Sequence, residues 1–392
     1  MLLIQPPSEL GKAVRSLIRS RLMKIIHLYK DYFPVLGGIE NHIRTLAEAQ
    51  AAAGHAVTVL VCARTYRTTE DQLNGVRVIR AARLATVASM PLSLVQPWLL
   101  ARAEADIIHI HSPYPLGEAA NWLWGQARAT VITYHSDVVR QRLLLRLHGP
   151  ILRRVLRAAD AIIVTSSRYL ETSPWLQPVR ERCTVAPLGI DLARFPIGGH
   201  RPLAEPPRLL FVGRLRYYKG LDTLLHALRA LPEVRLTVVG DGPMRASWQR
   251  LAHELGVAGR VDFVGEVDEA ALPAYYARAD LFVLPANARA EAFGTVLLEA
   301  MAAGLPVVST EVGTGTSWVN QDGVTGRVTP PRDPTALAAA IGDLLAQPDR
   351  LAAMGRAARA RVEAEFTLPT MVARVQAVYE RALAAQRRAN VR

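Results

Sequence analysis

Short apolar runs alternate with longer amphipathic stretches along nearly the whole chain. The runs are bounded by Gly, Pro or polar residues, which is typical of buried strands, and the stretches between them have the length and periodicity of helices. Strands that alternate with helices predict parallel sheets covered on both faces, as in α/β proteins. The predicted strands span residues 24–29, 57–61, 76–80, 107–111, 131–135, 162–166, 184–187, 209–213, 235–239, 261–264, 281–285, 307–310 and 326–329.

A Gly- and Pro-rich segment over residues 198–207 separates the first seven predicted strands from the last six. This composition is typical of a linker, and each side is long enough to form its own core. We therefore predict two Rossmann-like domains, over residues 23–198 and 199–366, that face each other across a cleft. Residues 1–22 form a basic extension without the continuous apolar core of a signal peptide, and residues 367–392 begin with an amphipathic helix.

Residues 84–101 form an uncharged stretch of 18 positions, which has the length of a membrane span. Pro91 and Pro97 would interrupt a helix there, and the Ser and Gln side chains make the stretch a poor span. We predict a broken helical or loop segment of the first domain instead.

Composition narrows the class of protein further. The chain has 392 residues, is 50% hydrophobic and carries a formal net charge of +13. Its two cysteines, Cys62 and Cys183, lack the spacing of a zinc site, a pattern that indicates a reducing compartment. A basic balance suits either nucleic acid or an anionic membrane. Because no nucleic-acid-binding motif accompanies the charge, we predict no nucleic-acid partner.

Two glutamates eight residues apart, Glu291 and Glu299, flank the start of an apolar helical run. A strand is predicted before the first of them, so a loop and the beginning of a helix follow the strand. A helix N-terminus presents free backbone N–H groups, which bind phosphate well. Glu299 lies about 9 Å along this helix, a distance that suits a diphosphate with a sugar at one end and a ribose at the other. The residues predicted to surround the phosphate are Phe293, Gly294, Thr295 and Val296.

A second pair of charged residues, Arg214 and Lys219, follows the predicted strand at 209–213. Ligands of open α/β sheets collect at the carboxyl ends of the strands. Two fixed cations at such an end can neutralise a leaving diphosphate.

Arg214 and Lys219, followed by the Glu-x7-Glu motif, resemble the donor half of retaining glycosyltransferases of the GT-B fold, in the group 1 or family 4 type. The likeness extends from Met23 to the C-terminal helix. It implies two facing Rossmann-like domains, with the C-terminal helix crossing back to the first. It also implies a nucleotide-diphosphate sugar as donor and front-face attack with retention, with Glu291 on the sugar hydroxyls and Glu299 on the ribose.

The same resemblance assigns roles to residues in loops that follow other strands. His135 corresponds to a histidine that faces the donor sugar, although a histidine on a Rossmann strand is otherwise more often structural. Gly37 and Gly38 correspond to a loop that faces the diphosphate, and Gly240 and Val264 to loops beside the nucleotide. On their own, these glycines would indicate only tight strand–helix turns.

The identity of the donor is suggested by the Gly-Thr-Gly-Thr-Ser sequence within residues 313–320, which resembles polysaccharide mannosyl- and rhamnosyltransferases. It favours GDP-mannose. The alternatives are a UDP-sugar or a deoxyhexose donor for a glucosyl-, N-acetylglucosaminyl- or rhamnosyltransferase, a non-hydrolysing sugar-nucleotide epimerase, or an inactive sugar-nucleotide-binding protein. The chain contains no Asp-x-Asp motif, so we expect no metal and no cofactor, with Arg214, Lys219 and the helix N-terminus stabilising the diphosphate.

Residues 139–157 contain six arginines, interspersed with leucines, and no acidic residue. Gly149 and Pro150 predict two short helices here. A basic amphipathic stretch is typical of membrane-surface binding, although a solvated face of a core helix has the same composition. We expect a cytoplasmic enzyme, peripheral at the inner face of the cytoplasmic membrane, whose acceptor is a glycan or a lipid-linked oligosaccharide of cell-surface polysaccharide synthesis.

Overall fold

The computed structural model describes residues 22–35, 37–87, 90–137, 142–195 and 203–390. Within these residues the chain divides into two units. The first comprises the chain up to Thr165, Ser173–Gly189 and the C-terminal segment from Leu368, and the second comprises Ser166–Thr172 and Ile190–Thr367.

Strands and helices alternate through both units, as the apolar pattern predicts. The strands are β1 Lys24–Leu28, β2 Ala56–Cys62, β3 Thr69–Leu73, β4 Val76–Ala81, β5 Ala85–Val87, β6 Met90–Leu92, β7 Ile107–Ser112, β8 Ala129–Tyr134, β9 Ala161–Val164, β10 Cys183–Val185, β11 Arg208–Val212, β12 Arg235–Val239, β13 Val261–Gly265, β14 Leu281–Leu284, β15 Val307–Thr310 and β16 Gly326–Thr329. The helices are α1 Gly38–Ala52, α2 Val95–Ala101, α3 Pro115–Trp124, α4 Arg142–Ala158, α5 Ser167–Thr172, α6 Leu221–Ala227, α7 Arg245–Glu254, α8 Leu272–Arg278, α9 Thr295–Ala302, α10 Gly315–Val319, α11 Pro334–Leu345, α12 Pro348–Glu365 and α13 Leu368–Asn390.

The first unit is built on a sheet with the strand order β10-β9-β8-β7-β1-β2-β4-β3. All neighbours are parallel except β3, which pairs antiparallel with β4. Strand β1 lies between β2 and β7, so the order of the sheet reverses there. Such a reversal leaves a crevice at the carboxyl ends of the strands.

The C-terminal helix α13 covers one face of this first sheet. Its buried residues, which include Met371, Val375 and Tyr379, pack in one core with Ile107 and Val131 of the strands. The apolar face of α13 is thereby removed from water, the main favourable term in folding. The predicted return of the C-terminal helix to the first domain is confirmed.

The second unit has a fully parallel sheet in the order β13-β12-β11-β14-β15-β16. This is the doubly wound Rossmann arrangement, and its reversal point lies between β11 and β14. The central strands β11, β14 and β15 are short and buried on both faces, which explains why the sequence shows continuous apolar runs there rather than alternation. The two motifs singled out in the sequence follow these two central strands.

Two local predictions need correction. Within residues 84–101, α2 agrees with the predicted helical segment, but β5 and β6 pair as antiparallel strands where helix or loop was expected, because a short run of apolar residues does not distinguish strand from helix. The basic stretch forms one helix, α4, with Pro150 inside it, rather than two. Gly149 in α4 packs against the ring of Trp175, where a Cβ would lie 2.9 Å from the ring.

The chain passes between the units at positions different from those predicted. Ile190 and Thr367 form a bridge, and the Ile190 N–H donates to the Phe366 carbonyl oxygen over 2.8 Å, so the segments that enter and leave the second unit lie side by side. The second unit thus begins before residues 198–207, and it also includes α5. Residues 198–202 of the predicted linker, and 1–21 of the basic extension, lie outside the described residues.

Candidate active site

The loops after β11 and β14 meet at the reversal point of the second sheet. Asn287 connects them: its backbone N–H donates to the Tyr218 carbonyl oxygen over 2.9 Å, and its side-chain Nδ2 donates to the Tyr217 carbonyl oxygen over 3.0 Å. The sequence separates these loops by about seventy residues, and the parallel pairing of β11 with β14 brings them together.

Gly220 allows the two loops to approach this closely. It has a φ of +71°, and a Cβ at this position would lie 1.9 Å from the carbonyl oxygen of Pro285. Both the left-handed conformation and the lack of space exclude a side chain. The backbone therefore turns directly from the residue before it, Lys219, into α6.

Lys219 and Glu291 form a buried ion pair at this point. The Nζ and Oε2 atoms lie 2.7 Å apart, and the two side chains are only 10% and 9% exposed. Burial disfavours the charged lysine, but the Glu291 carboxylate and Tyr218 outweigh that effect and raise the pKa of Lys219. The pair joins one residue from each sequence motif, and it places a permanent cation beside a carboxylate where ligands of this fold collect.

The loop that carries Glu291 is held in turn by the segment before α10. The Thr314 hydroxyl donates to the Glu291 carbonyl oxygen over 2.7 Å, and the Gly315 N–H donates to the Ala292 carbonyl oxygen over 2.8 Å. The Gly-Thr-Gly-Thr-Ser sequence thus supports the loop that carries Glu291 through hydrogen bonds to its backbone. Its role in the structure is to position Glu291.

Helix α9 begins at Thr295, after Gly294 in the left-handed conformation, so Glu291 lies in the preceding loop and Glu299 on the helix as the sequence predicts. Phe293 is buried beneath the turn. The first backbone N–H groups of a helix lack intrahelical acceptors. Those of Thr295 and the next residue, Val296, are therefore available for a phosphate in this geometry.

Glu299 is fixed by a residue that sequence reasoning missed. Tyr276 of α8 donates its hydroxyl to Glu299 Oε2 over 2.7 Å. Burial raises the pKa of Glu299, and the hydrogen bond from Tyr276 opposes that shift. One carboxylate oxygen is thus occupied by the tyrosine while the other can bind a ligand hydroxyl. A Tyr-Tyr pair upstream of β14 was the only sequence signal.

The remaining positions predicted to bind the donor in this unit lie around the same sheet edge. Gly240 follows β12 and packs against the backbone after β11, where a Cβ would lie 2.3 Å from the Gly213 carbonyl oxygen. Val264 is half-buried near the end of β13. Arg214 is exposed, and within the described part of the chain no ion pair involves it.

The first unit contains a cluster of five buried histidines. His27 lies on β1, His109 and His111 lie on β7, His135 follows β8, and His42 lies on α1. Burial lowers the pKa of His27 to about 4 and that of His42 to about 3. It also holds the pKa values of the other three well below the usual range. All five imidazoles are therefore neutral at physiological pH.

Four side chains of this region form a hydrogen-bonded ladder that ends at His135. Gln50 Nε2 donates to the Tyr379 hydroxyl, so Gln50 Oε1 faces His27 Nε2 at 2.7 Å and accepts its hydrogen. His27 Nδ1 then accepts from His111 Nε2 over 3.0 Å, and His111 Nδ1 accepts from His135 Nε2 over 3.1 Å. A neutral imidazole has one donor and one acceptor. The ladder thus fixes the tautomer of His135, with hydrogen on Nε2 and an acceptor at Nδ1.

The same cluster contains two triads with the spacing of metal ligands, His27–His109–His111 and His42–His111–His135. Both ring nitrogens of His109 are already bonded, one to the Tyr379 hydroxyl and one to Thr133 Oγ1, each over 2.6 Å. The ladder likewise occupies both nitrogens of His27 and His111. Hydrogen bonds therefore account for the arrangement without a cation.

Gly37 and Gly38 lie in the first unit at the start of α1, after the loop that follows β1. Gly37 is extended, and a Cβ on it would lie 2.1 Å from a Glu40 carboxylate oxygen. Asp137, two residues after His135, accepts hydrogen bonds from the hydroxyls of Tyr134 and Ser173, over 2.9 and 2.7 Å.

Two Rossmann-like units in one chain are characteristic of the GT-B class of fold. The Lys219–Glu291 pair lies at the reversal point of the second unit's sheet. The family model described as "Glycosyl transferases group 1" matches residues 199–361, and the model described as "Glycosyltransferase Family 4" matches residues 36–194. The chain belongs to this glycosyltransferase family, and it is an enzyme of that class.

Individual relatives agree with this assignment. The chain is 36% identical to the D-rhamnosyltransferase WbpZ of Pseudomonas aeruginosa, over 88% of this chain and 92% of the relative. It is 33% identical to the O-antigen chain mannosyltransferase C of Escherichia coli, over 89% and 96%. Among solved structures, the sucrose-phosphate synthase of Thermosynechococcus elongatus superposes with a TM-score of 0.78 at 26% identity, over 93% of this chain and all of that one.

The helices of the described residues were also compared with the requirements of a membrane span. None of them is both long and apolar enough to cross a bilayer.

Proposed function

We propose that the protein is a retaining, metal-independent hexosyltransferase that transfers mannose from GDP-mannose to a glycan or lipid-linked acceptor in cell-surface polysaccharide synthesis. The observation that carries this proposal is the buried Lys219–Glu291 pair at the reversal point of the second sheet. Support for the pathway comes from relatives named as O-antigen and rhamnosyl transferases.

The roles of the charged residues follow from their chemistry. Lys219 and Arg214 stabilise the diphosphate as negative charge develops on it, with the N–H groups at the start of α9. Glu291 binds hydroxyls of the donor sugar, and Glu299 binds the ribose through the oxygen that Tyr276 leaves available. The acceptor hydroxyl attacks from the face that the phosphate leaves and gives its proton to the departing phosphate. The new bond therefore forms on the same face of the sugar as the bond that breaks.

His135 contributes from the first unit in this proposal. As the Nε2–H tautomer it presents Nδ1 as an acceptor, which suits a hydroxyl of the donor sugar. The side chain therefore orients the sugar rather than stabilising the leaving group.

A panel of nucleotide sugars tests the donor. Purified protein is incubated with GDP-mannose, a GDP-deoxyhexose, UDP-glucose and UDP-N-acetylglucosamine, while donor hydrolysis and thermal shift are measured. We expect hydrolysis and the largest shift with GDP-mannose. A preference for the GDP-deoxyhexose would assign a deoxyhexosyltransferase. A preference for a UDP-sugar would refute both guanine as the base and mannose as the sugar of the donor.

We further propose that the enzyme is cytoplasmic and docks reversibly on the anionic inner face of the membrane through the basic helix α4. Arg153, Arg154 and Arg157 of this helix are exposed. Each arginine near such a surface contributes about 1 kcal/mol, and the attraction decays within roughly a Debye length. Vesicle sedimentation should show binding that needs anionic lipid and weakens steeply with salt.

Replacement of arginines in the basic stretch tests its part in docking. Arg140→Gln, Arg142→Gln and Arg146→Gln together should weaken vesicle binding without changing donor binding; Arg140 lies outside the described residues. Equal binding to neutral and anionic vesicles at high salt would contradict electrostatic docking.

A further inference from the structure

Helix α3 has the usual distribution of polar and apolar residues reversed. Its buried positions include Glu118 and Asn121, whereas Trp122, Leu123 and Trp124 are 43%, 55% and 51% exposed. A surface helix normally directs its apolar stripe to the core. The reversal places the largest apolar side chains of α3 in solvent.

Specific polar contacts hold α3 in this orientation. Glu118 Oε1 accepts from the Tyr114 N–H over 2.9 Å, and its Oε2 lies 3.0 Å from His148 Nε2 of α4. Asn121 Nδ2 donates to Thr130 Oγ1 over 3.2 Å. Turning the helix over would bury Trp122 and Leu123 but expose or break these bonds, so these two side chains are held outward by the fold itself.

The neighbouring helix α2 extends the same apolar surface. It packs against α3, and its Trp98 is 52% exposed, with the Arg102 guanidinium 4.1 Å from the ring centroid. Several large apolar side chains exposed on two helices that pack together indicate an interaction site. We call these side chains the tryptophan face; its members are Leu94, Trp98, Leu116, Trp122, Leu123 and Trp124.

The charges around the tryptophan face indicate its partner. Apart from the buried Glu118, helices α2, α3 and α4 contain no acidic residue, and Arg102, Arg153 and Arg154 are exposed on or beside them. Arg128 is also exposed but pairs with Asp106, and the exposed Glu104, which follows α2, pairs with Lys24. A second copy of this chain would bring these arginines against each other. Aromatic rings among cations suit the headgroup region of an anionic bilayer, where tryptophan is enriched.

We propose that the tryptophan face inserts into the interfacial region of an anionic bilayer, with the arginines of α4 held at the headgroups. The inference deepens the membrane docking put forward above and rests on that part of the proposed function, not on the donor. It adds an apolar contact that salt does not screen, whereas docking by charge alone would be lost at high salt.

Depth-dependent quenching of fluorescence tests the insertion. The full chain is mixed with vesicles of phosphatidylcholine and phosphatidylglycerol whose acyl chains are brominated, and with brominated phosphatidylcholine alone. We expect quenching with the anionic vesicles, and a fraction of the binding should persist as salt is raised. Binding without quenching would overturn the proposal, because the rings would then lie outside the bilayer.

Substitution of the three rings provides the matched comparison. Trp98→Ser, Trp122→Ser and Trp124→Ser together should weaken vesicle binding at least about tenfold and abolish the quenching. The remaining Trp175, Trp248 and Trp318 keep the signal measurable. Thermal unfolding checks that the variant is folded.

The control carries two exposed apolar residues from elsewhere, Tyr66→Ser and Val324→Ser, which are 82% and 52% exposed in the native protein. It should bind like the native protein. Native-like binding by the triple variant would refute the insertion, as would a dimer in solution that the triple substitution dissociates, because a second copy would then cover the face. Donor hydrolysis is measured in parallel, and its absence would count against the proposed function alone.

Discussion

The five buried histidines make the first unit sensitive to mild acid. Each imidazole is neutral in the folded protein, with a pKa lowered by burial below the ordinary value of 6.5. The unfolded chain binds protons as the pH falls through about 6.5, while the folded chain does not until the pH approaches about 4 or lower. Unfolding therefore takes up protons, and the free energy of unfolding falls as the pH falls.

The size of this effect follows from the two pKa values. For one imidazole with a folded pKa of about 4, the loss relative to a pH well above 6.5 is about 0.8 kcal/mol at pH 6 and about 1.4 kcal/mol at pH 5.5. His27 and His42 together lose about 1.6 and about 2.8 kcal/mol, and the other three histidines, whose pKa values burial also lowers, add losses of the same sign. A typical domain has only about 5–15 kcal/mol of stability, so we expect the first unit to be measurably destabilised at pH 5.5.

Urea unfolding at pH 7.5, 6 and 5.5 measures the loss, with pulse proteolysis and peptide identification assigning each transition to a unit. His42→Gln removes one buried imidazole and should reduce the proton uptake on unfolding by about one. His253→Gln is the matched control, because His253 is exposed in the second unit. An uptake of one proton or fewer by the native first unit would show that the cluster is charged when folded, and the reasoning would fail.

Three further predictions concern the second unit. Lys219→Ala should lower turnover by about 10²–10³-fold in a donor-hydrolysis or transfer assay, the scale of one preorganised electrostatic contact; native turnover would mean that the lysine serves only structure. Glu299→Ala should weaken the binding of free GDP, whereas Glu291→Ala should spare it and impair transfer; equal losses in calorimetry would contradict the assignment. Gly220→Ala should destabilise the unit far more than Gly256→Ala, because both glycines have φ near +70° but only Gly220 lacks room for a Cβ; equal shifts in thermal unfolding would show that the loops can separate.

Local patterns in the chain determined much of the architecture. Parallel strands buried on both faces leave continuous apolar runs, so every predicted strand appears within one or two residues of its observed position. The strand predicted at 281–285 and the apolar helical run that follows it likewise located Glu291 in a loop and Glu299 on α9. These features depend on near neighbours in sequence, which a pattern records directly.

Other features depend on residues far apart in sequence, and only the tertiary structure decided them. Pairing of β11 with β14 brings Lys219 to Glu291, and α8 supplies the tyrosine that holds Glu299. The histidine ladder combines side chains of β1, α1, β7 and the loop after β8. No local pattern records such contacts, because each is made by the packing of whole elements.

The orientation of α3 is the clearest case in which tertiary contacts, rather than the local sequence pattern, decided a feature of the structure. Periodicity alone would direct Leu116 and Leu123, which lie seven positions apart on one face, into the core, since the pattern expresses only the hydrophobic term. The fold instead buries Glu118 and Asn121, whose partners lie on α4 and β8. The alternating pattern of the sequence places a helical stretch between the strands predicted at 107–111 and 131–135; which face of that helix meets solvent was decided by polar partners that only the folded chain assembles.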